Sequence, residues 1–469
     1  MNLMHNLEAI NPIDGRYRRY TEPLAEFFSE KGLMEHRLRV EGEYLLALSE
    51  HPQIGVRPFS NEERGLVRKL YDLSLEDAEV IKAIEVSGYK NIKATNHDVK
   101  AVEYYMKDKL QGTSLEDSLE WIHFALTSED VNNIAYGLML SGTLSSIILP
   151  VAEGLQQKIY EFAERYAGLP MLARTHGQPA SPTTLGKEFK VFASRMERQL
   201  DQLKKYEVLT KLNGATGNYN AHHVAYPNID WIKFSKDFIE GFNEERIIRL
   251  KPNLITTQIE PHDTYAELFD NLRRFNMVGI DFAKDVWQYI SDQWIIQKPV
   301  DGEVGSSTMP NKINPIDFEN CWGNLGKANA DFNYFSTKLP ESRLQRDLSD
   351  STVERNFGVA LGYCLIGYKS ALKGMKKISV DEAKVVGELN KHPEVIAEAI
   401  QTILRRESIV GAYEQLKEFT RGRAVTQEDF ERQIEGLHVS DEVKKELKGI
   451  TPTNYIGLAK LLVEMQINV

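Results

Sequence analysis

The sequence predicts an all-α protein of three helical domains, with a central bundle of long helices. Three observations support this prediction. Apolar residues recur at spacings of three and four over long stretches, the alternation typical of strands is scarce, and glycine and proline cluster between the stretches. The chain of 469 residues is also too long for one ordinary core, since a domain usually contains about 100–200 residues.

The predicted N-terminal helical domain covers residues 1–113. A turn-forming cluster at residues 11–15 places Arg16 and Tyr17 on non-helical backbone. Apolar spacing then predicts helices over residues 24–38 and near 61–72 and 76–86. The segment Thr95-Asn96-His97-Asp98 is a helix-start signal, so we expect His97 at or just before a helix N-terminus, where anions bind favourably.

The predicted central domain, residues 114–373, is dominated by long amphipathic helices. Apolar stripes run through residues 185–203, 268–289 and 357–372. At about 1.5 Å per residue, such helices are rods of roughly 30 Å. Rods of this length usually pack into a bundle, and exposed aromatic positions on them would suit the association of subunits.

The predicted C-terminal domain, residues 374–469, is smaller and consists of short helices. Its helix breakers lie at residues 392–393, 411, 421–422 and 451–452.

Composition narrows the classes of protein. Acidic residues exceed basic ones by 68 to 57, which gives a net charge of -11 without long blocks of one sign. This balance argues against a nucleic-acid or membrane surface, so a few placed cations must bind any anionic substrate. Cys321 and Cys364 are too few for a disulfide framework and lie in apolar patterns typical of a core. We find no signal peptide and no apolar run of about 20 residues, and we expect a cytoplasmic protein.

The loop at residues 302–315 has the character of a catalytic loop. Glycines at 302 and 305 and prolines at 310 and 315 prevent it from joining a helix. Successive N–H groups at Ser306, Ser307 and Thr308 can form a nest for an anion, followed by the charge of Lys312 and the amide of Asn314. These groups suit a carboxylate, although an ordinary solvated loop has a similar composition.

Three further polar interruptions are candidate site segments. Thr127 and Ser128 open a helix predicted to run to about residue 148, either as carboxylate binders or as an ordinary N-cap. His176 lies between two helices on a turn made rigid by a glycine and a proline, where a titrating or a structural role is open. Gln258 could bind substrate or only bond to the start of the next helix.

Other residues and chemistries give weaker signals. Arg346, Ser351 and Arg355 could bind a phosphate, or they could belong to a solvated helix face. The sequence has no zinc-helix spacing, no phosphate-binding Walker loop, no dinucleotide fingerprint and no nucleophile elbow. We therefore expect an acid/base enzyme without a cofactor or a metal.

The motifs taken together resemble a known family. Residues 305–315, Gly-Ser-Ser-Thr-Met-Pro-Asn-Lys-Ile-Asn-Pro, resemble the signature loop of the aspartase/fumarase superfamily. Within it, segments 14–17, 95–98, 127–130, 174–180 and 258–263 are similar, in order, to those of the adenylosuccinate lyase family. The resemblance spans essentially the whole chain. Asn311 departs from the histidine that related lyases often carry.

This resemblance implies a fold, a reaction and an assembly. The implied fold has three helical domains whose central bundles form a homotetramer, with active sites shared between subunits. The implied reactions of purine biosynthesis release fumarate from adenylosuccinate, giving AMP, and from succinylaminoimidazole carboxamide ribotide. Ser306 matches the general base and His176 the general acid. The matched substrate-binding positions are Arg16, Tyr17, Asn96, His97, Asp98, Thr127, Ser128, Gln258, Ser307, Lys312, Asn314, Asn320, Arg346, Ser351 and Arg355.

Two alternatives remain open at this point. The substrate could be argininosuccinate, aspartate or malate, although Arg16, Tyr17 and His97 favour a nucleotide phosphate. A helical scaffold without activity is the other alternative, but such a scaffold would have no need for Ser306 and His176 together.

Overall fold

The computed structural model describes residues 6–244, 246–299, 302, 308–309, 311–420 and 425–465. Helices dominate these residues, which confirms the predicted all-α class. The α-helices, numbered α1 to α21 in chain order, are Arg18–Thr21, Ala25–Phe28, Glu30–Glu50, Asn61–Lys69, Leu75–Val86, Asp98–Leu110, Ser128–Thr143, Leu149–Arg165, Leu185–Lys204, Asn220–Ala225, Trp231–Glu240, Asp263–Ser291, Ile316–Lys338, Ser349–Glu354, Phe357–Lys377, Glu382–Asn390, Ala397–Arg406, Ala412–Thr420, Gln427–Glu435, Asp441–Lys448 and Ala459–Glu464. The predicted long stripes are α9, α12 and α15.

The described strands form three small ribbons. In chain order, β1 to β6 are Pro170–Thr175, Gln178–Thr184, Glu207–Thr210, Arg249–Pro252, Ile295–Gln297 and Ile378–Val380. The pairs β1–β2 and β5–β6 are antiparallel, whereas β3–β4 is parallel. The segment around His176, which the sequence predicts only as a joint between two helices, is therefore the turn of the β1–β2 hairpin.

The helix that begins at Ser128 is longer than predicted. A π-helical stretch, Leu144–Ile148, carries α7 into α8 without a break, so the predicted end near residue 148 is wrong. A π-turn keeps the backbone bonded while it shifts the helix face, which periodicity alone does not reveal.

The continuous helix from Ser128 to Arg165 is, by length and composition, apolar enough to cross a membrane. The expectation that the sequence has no apolar run long enough to cross a membrane is therefore wrong. Of the most apolar 18-residue stretch of this helix, 67% is buried inside the protein. This burial accounts for the apolar run, because a core helix must be apolar on most of its faces.

The chain divides into two compact units. The first comprises Met1–Ala152, Gln199–Met277 and Gly323–Lys369, and the second comprises Glu153–Arg198, Val278–Trp322 and Ser370–Val469. The domain bounds at residues 113 and 373 stay a prediction.

In the first unit, α3 packs against α6 and α7, and α7 also contacts β3. Leu38, Tyr44, Ile134 and Leu138 are fully buried there. Burying a large apolar side chain stabilises a fold by about 1.5–3 kcal/mol, so these residues of α3 and α7 stabilise the first unit.

In the second unit, the β1–β2 hairpin packs against α16, and a separate apolar core joins the C-terminal helices. Leu172 from β1 belongs to that core together with Leu389, Ile396 and Phe430. The hairpin is therefore anchored at its base, while its turn is left exposed.

Candidate active site

The predicted site residues fall into two groups, which we describe separately. The first unit contains Arg16, Tyr17, Asn96, His97, Asp98, Thr127, Ser128, Gln258, Arg346, Ser351 and Arg355. The second unit contains His176, Lys312, Asn314 and Asn320. Ser306 and Ser307 lie outside the described residues.

The N-terminus of α6 confirms the predicted position of His97. Asn96 has a φ of 48°, in the left-handed region, and this turn leads into α6. The His97 side chain caps the helix, since its Nδ1 accepts a hydrogen bond from the Lys100 N–H at 3.3 Å. Its Nε2 lies 3.4 Å from the Ser128 hydroxyl. This contact brings the N-termini of α6 and α7 together, so two positive helix ends converge.

Asp98 is held between two arginines. Its Oδ2 accepts hydrogen bonds from Arg37 at 2.7 Å and from Arg355 at 2.8 Å, while its Oδ1 accepts one from the Val99 N–H. Burial opposes ionisation, but the two guanidinium groups outweigh it and lower the pKa of Asp98 to about 2. Asp98 is therefore ionised at neutral pH and holds Arg355, which also lies 3.6 Å from Glu30, beside the start of α6.

The start of α7 is fixed by a buried ion pair. Asp130 Oδ1 lies 2.9 Å from Lys211 Nζ, and both side chains are fully buried. The same carboxylate accepts hydrogen bonds from the backbone N–H groups of Thr127, Asn213 and Gly214. These bonds fix the backbone that presents Thr127 and the adjacent Ser128.

Arg346 is turned towards carboxylates of the protein. Its Nη1 lies 3.0 Å from Glu129 Oε2, and its Nε lies 3.4 Å from Asp350 Oδ2. Gln258 belongs to the same region, because its N–H donates a hydrogen bond to the carbonyl of Gln345 at 3.3 Å. The first unit thus brings Gln258 close to the segment of Arg346, although they are far apart in sequence.

The remaining predicted residues of this unit lie at helix ends. Arg16 is exposed, and Tyr17 precedes α1 with its N–H bonded to the Pro12 carbonyl. Ser351 lies in α14 and donates its hydroxyl to the Leu348 carbonyl at 3.0 Å.

In the second unit, His176 is exposed at the tip of the β1–β2 hairpin. His176 and Gly177 have φ values of 53° and 74°, the pattern of a tight two-residue hairpin turn. Arg174 at the end of β1 pairs with Glu388 at 3.0 Å, which ties the hairpin to α16. The imidazole is therefore held on a short, anchored turn.

Lys312, Asn314 and Asn320 surround the start of α13. The Lys312 N–H donates to the Met309 carbonyl, and the Ile313 carbonyl accepts a hydrogen bond from Gln297 at 2.9 Å. Lys312 is exposed, whereas Asn314 and Asn320 are half-buried. An exposed ammonium near the N-terminus of a long helix favours an anion.

Sequence reasoning missed His123. It has a φ of 63°, followed by Ala125 at 59°, just ahead of Thr127. Its Nδ1 lies 2.5 Å from Glu41, which is fully buried. Burial disfavours the imidazolium, but Glu41 outweighs burial and raises the pKa of His123. A lone histidine four residues before the motif is the only sequence signal, and it reveals neither its turn nor its distant partner.

A cavity of about 880 Å³ lies beside the start of α6. Its wall includes Thr95 and Lys100, with Lys90, Lys107 and Tyr104 beyond them. Lys90 pairs with Asp108, and both Lys100 and Lys107 pair with the buried Glu103. Carboxylates of the same unit therefore neutralise much of the positive charge in this wall.

Two family profiles and several curated relatives match almost the whole chain. A profile described as "Lyase" matches residues 15–329, and one described as "Adenylosuccinate lyase C-terminal" matches residues 342–456. The chain is 48% identical over 464 residues to the adenylosuccinate lyase of Haemophilus influenzae, covering 98% of this chain and 99% of that one. The enzyme of Escherichia coli strain K12 gives the same identity and coverage. The enzyme of Dictyostelium discoideum is 45% identical over 467 residues, covering 97% of each chain.

Solved structures show the same fold at low sequence identity. The 3-carboxy-cis,cis-muconate lactonizing enzyme of Pseudomonas putida superposes with a TM-score of 0.72 at 17% identity, covering 96% of this chain and 97% of that one. A fumarate lyase from Mesorhizobium sp. BNC1 gives a TM-score of 0.67 at 15% identity, covering 94% and 96%.

Proposed function

The chain belongs to the adenylosuccinate lyase family, and from this premise we propose that it releases fumarate from two succinylated nucleotides of purine biosynthesis. Adenylosuccinate gives AMP, and succinylaminoimidazole carboxamide ribotide gives the carboxamide ribotide. It is a fumarate-releasing C–N lyase. The observation that carries this conclusion is the 48% identity to an adenylosuccinate lyase over 98% of the chain.

Residues of the first unit bind the nucleotide in this proposal. His97 and Ser128 lie at two adjoining helix N-termini, whose positive ends attract a phosphate or a carboxylate. Arg346 and Arg355 add guanidinium groups that can bind such anions through two parallel hydrogen bonds. Arg16, Tyr17, Asn96, Asp98, Thr127, Gln258 and Ser351 complete the proposed binding set.

The signature loop removes the proton. Ser306 takes a proton from the carbon next to a carboxylate, and the resulting carbanion spreads its charge into that carboxylate. Lys312, Asn314 and nearby N–H groups hold the growing charge, a contribution of about 3–4 kcal/mol for each well-aimed donor. Serine is a weak base, so Lys312 and backbone amides must stabilise its alkoxide in a site closed to water. Ser307 and Asn320 bind the substrate beside them.

His176 protonates the leaving nitrogen as the C–N bond breaks. Such a proton transfer typically accelerates a reaction by about 10²–10⁴-fold. An imidazole suits this step because it exchanges a proton near neutral pH. Its position on a two-residue turn supports the proposal, since a short hairpin limits how far the ring can move.

The proposed assembly is a cytoplasmic homotetramer with active sites shared between subunits. Support comes from α12 and α13, where large apolar side chains remain exposed: Met277, Trp287, Ile316 and Tyr334. Exposed apolar surface on long helices is typical of a face that another subunit covers.

The test is an assay on purified protein. Adenylosuccinate should give equal amounts of fumarate and AMP, with AMP acting as a competitive inhibitor, whereas argininosuccinate should give no fumarate. Ser306→Ala and His176→Ala should each be inactive, and His438→Ala, which changes an exposed histidine, should be fully active. Mixed subunits of the two inactive variants should regain part of the activity. Full activity in either variant would refute its assigned role, and no recovery after verified exchange would refute a shared site.

A further inference from the structure

Three buried carboxylates act on Arg346 in the first unit, two of them in direct contact, and the proposed chemistry does not use them. We call Glu129, Asp350 and Glu354 the carboxylate cage. Their exposed fractions are 1%, 6% and 2%. Carboxylates so far from water are stable in ionised form only when opposite charges or hydrogen bonds compensate them.

The Arg346 guanidinium contacts two of these carboxylates, Glu129 and Asp350. Arg346 Nη1 lies 3.0 Å from Glu129 Oε2, while Nε and Nη2 both lie 3.4 Å from oxygens of Asp350. Arg346 itself is only 13% exposed. Any anion that binds Arg346 must therefore compete with carboxylates that already hold it.

The charges of the cage do not balance. Three carboxylates face one guanidinium, and His262, 3.5 Å from Glu354, contributes little charge because burial lowers its pKa to about 4. Apart from their contacts with Arg346 and His262, Glu129, Asp350 and Glu354 keep buried oxygens that make no hydrogen bond of good geometry. Burial raises the pKa of Glu129 to about 7 and that of Glu354 well above its usual range. Glu129 and Glu354 therefore keep their protons to a higher pH than ordinary carboxyl groups do.

The other groups that act on the cage belong to neighbouring elements of the same unit. They are Lys211 after β3, Arg37 in α3, Tyr136 in α7 and Tyr265 in α12. Lys211 is already paired with Asp130 and Arg37 with Asp98. Neither cation neutralises the cage fully, so the Arg346 contact is the main compensation for Glu129.

We propose that Glu129 is a positioning residue that competes with the anionic group of the substrate for Arg346, so that protonation of Glu129 releases the guanidinium to the substrate. This inference rests on the proposed function, because it takes Arg346 to be a substrate-binding residue. The proton comes from solvent on binding and returns to solvent when the ligand leaves. No other bond changes.

The direction of the coupling follows from electrostatics. When an anion draws Arg346 away, Glu129 loses its nearest positive charge while it remains buried. A buried carboxyl without a counter-charge binds protons more tightly. Ligand binding is therefore linked to proton uptake, and the affinity falls as the pH rises through the range in which Glu129 ionises.

The test measures AMP binding by calorimetry from pH 6 to 8.5. Glu129→Gln keeps the shape of the side chain but cannot ionise, and the phosphate of AMP titrates equally with both proteins. The ratio of the wild-type Kd to the Glu129→Gln Kd should be near one at pH 6 and rise to about three- to tenfold at pH 8.5. Glu354→Gln is the matched control, since it removes a cage carboxyl that has no direct Arg346 contact, and its Kd should follow the wild-type pH dependence.

A second measurement needs no variant. At pH 8, where the AMP phosphate is fully ionised, binding to the wild type in buffers of different ionisation enthalpy should show net proton uptake. In turnover, Glu129→Gln should change the pH dependence of KM and leave kcat unchanged. A ratio that stays flat with pH, weaker AMP binding by Glu129→Gln at every pH, or no proton uptake by the wild type would each overturn the inference. A wild type that neither binds AMP nor releases fumarate would instead refute the proposed function.

Discussion

The buried ion pair between Lys211 and Asp130 supports a quantitative prediction. Its two charged atoms lie 2.9 Å apart, and both side chains are fully buried. The variant Lys211→Met keeps the length of the side chain and removes its charge. Asp130 then keeps its bonds to the N–H groups of Thr127, Asn213 and Gly214 but loses its counter-charge.

The expected loss follows from these contacts. Removing one partner of a buried ion pair costs about 3–5 kcal/mol, because the other charge remains buried and unpaired. The backbone N–H groups still compensate part of that charge, since hydrogen bonds to a charged group contribute about 1.5–3 kcal/mol each. We therefore expect Lys211→Met to lower the free energy of unfolding by about 3 kcal/mol.

Urea unfolding followed by circular dichroism, at one fixed protein concentration, measures this loss. The matched control is Lys251→Met, which breaks the Lys251–Glu207 pair of the same unit, where the two side chains are 56% and 47% exposed. An exposed pair contributes about 0–1 kcal/mol, so the control should be nearly unchanged. Equal, small losses in the two variants would refute the reasoning that burial makes the difference.

Three further predictions can be tested with simple measurements. The pKa of the Asp98 carboxyl is lowered to about 2, so its ionised form stabilises the fold above its ordinary pKa near 4, and this stabilisation is lost as the pH falls towards 2. When the free energy of unfolding is measured against pH in acid, the decrease should therefore be about 2 kcal/mol smaller for Asp98→Asn than for the wild type. Gly217→Ala should raise KM for adenylosuccinate, because the added Cβ would lie 2.2 Å from the Thr256 carbonyl oxygen, two residues before Gln258. The control Gly112→Ala has a similar φ and open space around it, so its KM should not change. Equal KM values for the two variants would contradict this prediction. Burial raises the pKa of both cysteine thiols to about 12, so a disulfide reagent at pH 8 should label neither in the native protein and both in denaturant, and rapid native labelling would count against their burial.

Helices and their starting points could be predicted from the sequence because their signals are local. The stripe of α12 and the cap at His97 each depend on residues within a few positions. The β1–β2 hairpin was missed because its strands contain three prolines and pair only with each other, so they lack the alternation typical of a half-buried sheet. The continuation of α7 into α8 was missed because a π-turn leaves no pattern of its own.

The chemistry of the site segments was also predicted, but their pairings were not. Asp98 binds Arg37 and Arg355, which are 61 and 257 residues away. The sequence left open whether Arg346 binds a phosphate or belongs to a solvated helix face, since charged residues usually remain in water. Only the fold brings Glu129 against Arg346, and burial there is the largest cause of its raised pKa. The roles of Ser306, His176 and the substrate-binding residues stay proposals.

The left-handed backbone at non-glycine residues has a consequence for engineering this protein. Asn96, His123, Ala125, His176 and His262 all have φ between 48° and 64°, and such conformations cost of order 1–3 kcal/mol each. The substitution Ala125→Gly would relieve that strain without deleting a polar side chain. It would also increase the conformational freedom of the segment before Thr127. At Asn96, Ala125 and His176, which lie in or beside the proposed site segments, a variant that relieves this strain should therefore raise stability and lower turnover together.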